Sequence, residues 1–378
     1  MLARALAGVR VLDLSQYLPG PYAAQILADL GAEVVKVEPP AGDPMRALGP
    51  IDDDGISAFY KLVNDGKTVV RLDLKMASGR ALFARLLERA DVLIESFRPG
   101  TLARLGCDAA MLRKRHPRLI HCALSGFGQT GPYAARAGHD ITYMALGGGL
   151  GVSGDEKAPV PGYPPVADFA GAMQAALTVL AALLRRNADG AGCFLDVSLT
   201  ETVLAWQGLV LTGTMRGMPW GRRAAALLGG GAACYRVYET ADGRFVALGA
   251  LEPKFWAAFC RAVGRPEWIA RHGEPLPQSD LIAQVAALMA TRPRDDWVRT
   301  LADVDCCFEP VLDPQEVLEH PQIAARGLLR PVPGASPRVA VAFPAFCDGT
   351  APPDRAEVQT RRVEEVIAAW QRDRDPGQ

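Results

Sequence analysis

Three segments of this sequence carry side chains whose types and spacing suit proton transfer or attack on a carbonyl. The first is Gly138-His139-Asp140-Ile141-Thr142-Tyr143, between the turn-forming Gly131-Pro132 and a glycine-rich run at 147–151. His139 is one of only five histidines, and an imidazole can both accept and donate a proton near neutral pH. On spacing alone a structural role, capping a helix or satisfied in the core, stands ahead of catalysis. The second segment is Ala167-Asp168-Phe169-Ala170-Gly171, directly before a long apolar stretch. Asp168 reads as the N-cap of the helix that follows. Free backbone N–H groups there can lower its pKa and can stabilise a neighbouring oxyanion, so one residue can be both cap and catalyst. Gly171 would let another group come close. The third is Leu251-Glu252-Pro253-Lys254-Phe255. Glu252 sits at a strand-to-helix corner with Pro253 suited to the first helical position, and alone it reads as a solvated capping acid.

The elements that must position these groups alternate in the first half of the chain. Residues 9–14 (VRVLDL) are strand-like, 22–30 are helical in period, and 33–37 (EVVKV) are strand-like again. A second strand-helix-strand unit spans 68–74, 78–89 and 92–96, and a third runs from 109–115 into 119–125. This alternation predicts an α/β fold with a mostly parallel sheet covered by helices. Residues 193–197 add a strand and 199–211 a helix. The stretch 212–231, with six glycines, reads as a crossing segment or mobile loop. Residues 233–250 read as a hairpin turning at Asp242-Gly243, and helical segments at 253–263, 279–290 and 294–301 complete a smaller α+β domain. The expected plan is a large domain over 1–200 completed by the tail 330–378, a linker at 201–228, the small domain at 229–310 and a return linker at 311–329.

Several function classes fall away. With 41 basic against 42 acidic side chains and a formal charge of -1, no global field draws nucleic acid or anionic lipid, so any anionic ligand must be held by local cations. The most apolar stretch, 169–184, contains Gln174 and ends in Arg185-Arg186, and reads as a buried helix. The first residues lack an adequate apolar core for a secretion signal. Eight cysteines form no CxxC pair and no histidine stands at ligand spacing, so neither structural zinc nor a metal site is expected, and a reduced, cytoplasmic protein is. A dinucleotide reading fails at the first turn: Gln16-Tyr17-Leu18-Pro19-Gly20-Pro21 is not G-x-G-x-x-G, although Glu38 stands where a ribose-binding acid would. Walker A, H-E-x-x-H and G-x-S-x-G patterns are absent.

Taken together and in order, GVRVLDLSQYLPGPYAAQILADLGAEVVKVEPPAGDPMR, RLDLK at 71–75, ADVLIESFRPGTLARLG at 90–106, LSGFGQTGPYAARAGHDITY and the Asp168 segment resemble the family III CoA-transferases, the CaiB/BaiF family that includes the α-methylacyl-CoA racemases. The resemblance covers nearly the whole chain. It implies a Rossmann-like large domain that binds CoA, a small domain, and open ring-like subunits interlocked in a homodimer. It implies an acyl-CoA substrate and no prosthetic group. Leu72, Lys75, Phe97, Arg98 and Arg104 match the family's CoA contacts, and Gly229-Gly230-Gly231 match its glycine-rich loop near the acyl group.

Within the family two chemistries compete. Transferases use an aspartate, matched by Asp168, as a nucleophile that forms an acyl anhydride and then an aspartyl-CoA thioester. Racemases move the α-proton of a 2-methylacyl-CoA between two acid/base groups on opposite faces of an enolate. The racemase segments G-H-D-I-x-Y, A-D-F-A and A-L-E-P-x-F are all present here, which implies His139 and Asp168 as the two bases, Glu252 as the partner of His139, and Asp140 as a brace of the local backbone. Against this, the stretch 41–64 is long, as in the transferases.

Overall fold

The computed structural model describes residues 2–332 and 337–372. The parts of the expected large-domain tail at 333–336 and 373–378 lie outside the described residues. The chain divides into two compact units: one comprises the chain up to Met144, Pro164–Val203 and the chain from Pro321 onward, and the other Ala145–Tyr163 with Leu204–His320.

The first unit is built on a seven-stranded parallel sheet. In chain order its strands are β1 (Arg10–Asp13), β2 (Glu33–Glu38), β3 (Thr68–Arg71), β4 (Val92–Glu95), β5 (Ile120–Ser125), β6 (Cys193–Ser198) and, after five others, β12 (Gln359–Thr360). They lie in the order β12-β3-β2-β1-β4-β5-β6. The strands are short, apolar and β-branched, as befits a sheet covered on both faces. Period-two alternation sends Val11, Val34 and Ile94 to one face and Leu12, Val35 and Leu93 to the other. On the first face they meet helix Pro19–Asp29 and the alanine-rich side of helix Val166–Asp189. On the second they meet Phe83 and Leu86 of helix Ala77–Leu87, and Trp370 of helix Val363–Arg372. The C-terminal tail thus closes this unit: β12 runs parallel to β3, and Trp370 is fully buried.

Helix Val166–Asp189 is the one described helix long and apolar enough to cross a membrane, and half of its apolar window is buried inside the protein. Its buried positions are mostly alanine, which lets it lie close to β5 and β6. An antiparallel pair, β10 (Leu329–Val332) and β11 (Arg338–Val341), also belongs to this unit.

The second unit has its own core. β7 (Tyr235–Glu239), β8 (Phe245–Gly249) and β9 (Phe308–Pro310) form an antiparallel sheet. Helices Pro253–Ala262, Ser279–Met289 and Arg294–Leu301 pack on it around Trp256, Trp268 and Trp297. The expected single helix over 199–211 is two, Leu199–Trp206 and Gly208–Met215, interrupted at Gln207. The latter reaches into the segment read as an irregular crossing, which also contains two 3-10 turns, Pro219–Gly221 and Leu227–Gly229. Apolar residues without clear period hid this helix from the sequence reading.

Candidate active site

In the first unit the strand order 3-2-1-4-5-6 reverses direction between β1 and β4. Such a reversal leaves a crevice beyond the carboxyl ends of the strands. A cleft of about 300 Å³ lies there. Gln16, Tyr17 and Pro19 line it after β1, Ser96 to Pro99 after β4, and Gly126 and Phe127 after β5. His139, Tyr143 and Asp168 complete its wall.

A buried ionic cluster holds the β1 side of this cleft. The Asp13 and Lys67 side chains form an ion pair at 3.0 Å, and Lys36 pairs with Asp43 at 2.9 Å; all four are fully buried. Their spare donors and acceptors fix the loop after β1. Lys36 Nζ donates to the Ser15 carbonyl (2.7 Å), Lys67 Nζ to that of Pro21 (2.8 Å), and Asp13 Oδ1 accepts the Ser15 N–H (2.9 Å). Tyr17, which follows, has φ of 61°, a left-handed conformation that is costly for an aromatic residue. Burial depresses the Lys67 ammonium to about 8, against the pull of Asp13. Sequence reading missed this cluster; its signal was a lysine or aspartate inside otherwise apolar strands, VLDL and VVKV.

Asp168 is not the N-cap. Pro165 occupies that position, helix Val166–Asp189 starts at Val166, and Asp168 lies in its first turn. Free N–H groups at a helix start can lower a carboxyl's pKa, but here the shift is upward. Burial, with Asp140 nearby as a like charge, pushes the Asp168 carboxyl up to about 7, because loss of water penalises its charged form. Asp140 Oδ1 accepts the Asp168 N–H at 3.1 Å, so Asp140 braces the segment carrying Asp168. The group that approaches Gly171 is Leu199: a β-carbon at 171 would stand 2.1 Å from its Cδ2.

His139 immediately precedes helix Asp140–Leu146 and is exposed. Its backbone is fixed by Thr142, whose hydroxyl accepts the His139 N–H (3.0 Å) and donates to the His139 carbonyl (2.7 Å). One cleft thus contains a carboxyl that titrates near neutrality and an exposed imidazole. Arg98 and Arg136 stand in the same wall, Arg136 stacked 3.9 Å over the Tyr133 ring. Arg136 escaped the sequence reading, because nothing but its place after the turn distinguished it.

The other expected residues are placed as follows. Phe97 lines the cleft, its N–H donating to Glu95 Oε2 at 2.7 Å. Leu72 is buried just past β3, Lys75 is exposed on the next turn, and Arg104 is exposed at the end of helix Thr101–Arg104, bonded to Thr101 Oγ1 at 2.8 Å; none of these three lines the cleft. In the second unit Glu252 is exposed at the N-cap of helix Pro253–Ala262, without a side-chain capping bond. Gly229 and Gly230 end a 3-10 turn there, and the Gly230 carbonyl accepts from Arg236. Gly231 follows with no room for a side chain: a β-carbon would lie 2.4 Å from the Ala225 carbonyl group.

Residues 6–357 match the family description CoA-transferase family III. The chain belongs to that family. Family members with different names resemble it almost equally. An α-methylacyl-CoA racemase of Homo sapiens is 35% identical over 332 residues, covering 85% of this chain and 82% of the relative. An acetyl-CoA:oxalate CoA-transferase of Acetobacter aceti is 33% identical over 336 residues, covering 85% and 84%. The crystal structure of a CaiB/BaiF family protein from Brucella suis superposes with a TM-score of 0.81 at 27% identity, covering 97% of this chain and 98% of that one.

Proposed function

We propose that this family III enzyme is an α-methylacyl-CoA racemase or epimerase, moving the α-proton of an acyl-CoA thioester between Asp168 and His139. The observation that carries the reading is that both line one cleft while Asp168 has its carboxyl pushed up to about 7. A two-base exchange needs one group ready to accept a proton and the other ready to return one. A carboxyl titrating at working pH meets that need in both directions. One base removes the proton, the electron pair passes to the thioester oxygen to give an enolate, and the other base delivers a proton to the opposite face. Glu252 keeps only the role that the resemblance implies for it.

The phosphates of CoA are assigned to the cations beyond the strand ends, Arg98 and Arg136 in the cleft wall with Lys75 and Arg104 outside it. Guanidinium groups suit this role by their bidentate geometry and permanent charge. The resemblance supplies the interlocked homodimer, and the exposed apolar surface agrees with it. Met173, Leu177 and Leu184 stand 60%, 60% and 73% exposed along one helix, and Met215 of the second unit is 89% exposed. Patches of this kind mark interaction surfaces. A reduced cytoplasmic setting goes with the same reading.

A chiral 2-methylacyl-CoA incubated with the enzyme in D2O, without acceptor acid, should take up deuterium at the α-carbon and lose optical purity, and His139→Ala should cripple the rate. Absence of exchange across several such thioesters sinks the proposal. The transferase reading is kept because 33%-identical relatives carry that name and 41–64 is long. It requires Asp168 ionised as a nucleophile, predicts CoA passing between two carboxylates, and tolerates His139→Ala.

A further inference from the structure

Tyr143 lies four residues after His139 on the helix that starts at Asp140, and its ring forms part of the cleft wall. It is 8% exposed. The ring is gripped tightly: a β-carbon at Gly126 would lie 2.4 Å from its Cε1 and 2.7 Å from its hydroxyl oxygen, and one at Gly138 2.4 Å from Cε1. The Phe127 ring packs edge-on at 5.2 Å. Two glycines and an aromatic wall therefore hold the ring with its hydroxyl above the carboxyl end of β5, among the residues that line the cleft.

That hydroxyl makes no hydrogen bond to another of the described residues, and its oxygen is not sealed from solvent; it opens onto the cleft that the ring lines. It is not spent on Asp168: the carboxyl's elevation has only burial and Asp140 as its causes, whereas a donated hydrogen bond would lower it. The phenol itself is pushed up to about 12 by burial and by the charges of Asp168 and Asp140, with Arg98 pulling the other way. It therefore remains a neutral donor throughout the working range. A donor that opens onto the cleft, on a ring held fixed beside the acid/base pair, is suited to an acceptor that arrives with the substrate.

We propose that Tyr143 is a further catalytic residue, whose O–H donates a hydrogen bond to the thioester carbonyl oxygen and strengthens it as that oxygen gains charge. The proposal rests on the acyl-CoA reading but not on which of the two reactions follows, because an enolate and a tetrahedral adduct both place negative charge on this oxygen. No proton is transferred by the phenol; the bonds that break and form are those at the acyl carbons.

Tyr143→Phe tests it, since the variant removes the hydroxyl alone and keeps the ring between the two glycines. Assayed on the thioester that wild-type enzyme turns over, kcat should fall about 10²- to 10³-fold, the cost of losing one donor to a developing oxyanion, with KM nearly unchanged. The pH limb belonging to Asp168 should stay in place. The melting temperature should stay close to that of wild type, because no hydrogen bond to another described residue is lost. A kcat within about threefold of wild type overturns the proposal, as does a displaced Asp168 limb with the plateau rate intact, which would make Tyr143 a partner of Asp168 instead. A variant that fails to fold also overturns it, since the hydroxyl would then have a structural partner. Wild-type enzyme inactive on CoA thioesters in both the exchange and the transfer assay refutes the underlying reading, and the proposal with it.

Discussion

Asp168→Asn should make the protein more stable as it becomes inactive, and the gain should grow as pH rises through the titration range and be complete above it. The carboxyl rises from an ordinary value of 3.8 to about 7 in the folded chain, so between these limits the folded state binds more protons than the unfolded. Stability then falls as pH rises through that window and stays depressed above it. Roughly three units at about 1.36 kcal/mol each set a ceiling near 4 kcal/mol, and the partial exposure of the side chain brings the expectation down to about 2 kcal/mol. Asparagine is the same size and cannot ionise, so the variant should match wild type near pH 4 and exceed it by that margin at pH 8. Urea unfolding of both proteins at one fixed protomer concentration and at several pH values reads the difference directly, with groups common to both cancelling. Asp140→Asn keeps an oxygen for the Asp168 N–H but removes the like charge. It should shift the Asp168 limb of the rate profile to lower pH, by less than the whole elevation because burial is the larger cause. A stability difference independent of pH, or a variant less stable than wild type at pH 8, would refute the claim that desolvation governs this carboxyl.

Two further outcomes follow from the cleft and from the exposed surface. Arg98→Ala and Arg136→Ala should each raise KM for an acyl-CoA, an effect that shrinks at high ionic strength and disappears with a pantetheine thioester lacking the nucleotide phosphates; an equal penalty on the truncated substrate would remove these arginines from phosphate recognition. Sedimentation should show a dimer, weakened by Leu177→Glu and Leu184→Glu on the exposed helix face; a monomer across the working concentration range would refute the homodimer.

The alternating strands and helices of the first half were legible because a parallel sheet covered on both faces imposes unbroken runs such as VLIE and EVVKVE. The segment after 199 was not, because residues exposed on Gly208–Met215, such as Leu209, Leu211 and Met215, are apolar as well and no polar face betrays the helical period. Of the candidate site, His139 and Asp168 were found by residue type and resemblance, and the structure brings both to one cleft. The direction of the Asp168 shift was not legible in the sequence. A carboxylate at a helix start suggests stabilisation by free N–H groups, but sequence does not reveal how much water is excluded around it, and here exclusion decides the sign. Tyr143 belongs to the same motif, but that its hydroxyl opens onto the cleft is a property of the folded neighbourhood.

The failed dinucleotide fingerprint now has a structural counterpart. The strand order is that of a dinucleotide fold, yet the turn after β1 lacks the glycines that let a backbone approach a pyrophosphate. In their place the Asp13–Lys67 and Lys36–Asp43 pairs bind the loop's own carbonyls and N–H from below, and Tyr17 is held in a left-handed conformation at the cleft wall. A buried ion pair is a poor source of stability against well-packed apolar groups, but removing one partner is severe, commonly about 3 to 5 kcal/mol. Such a cluster fixes where the loop stands. The same topological switch point is thereby given over to a cleft lined by side chains, an acid titrating near 7, an imidazole and a phenol, where a dinucleotide fold would present backbone amides.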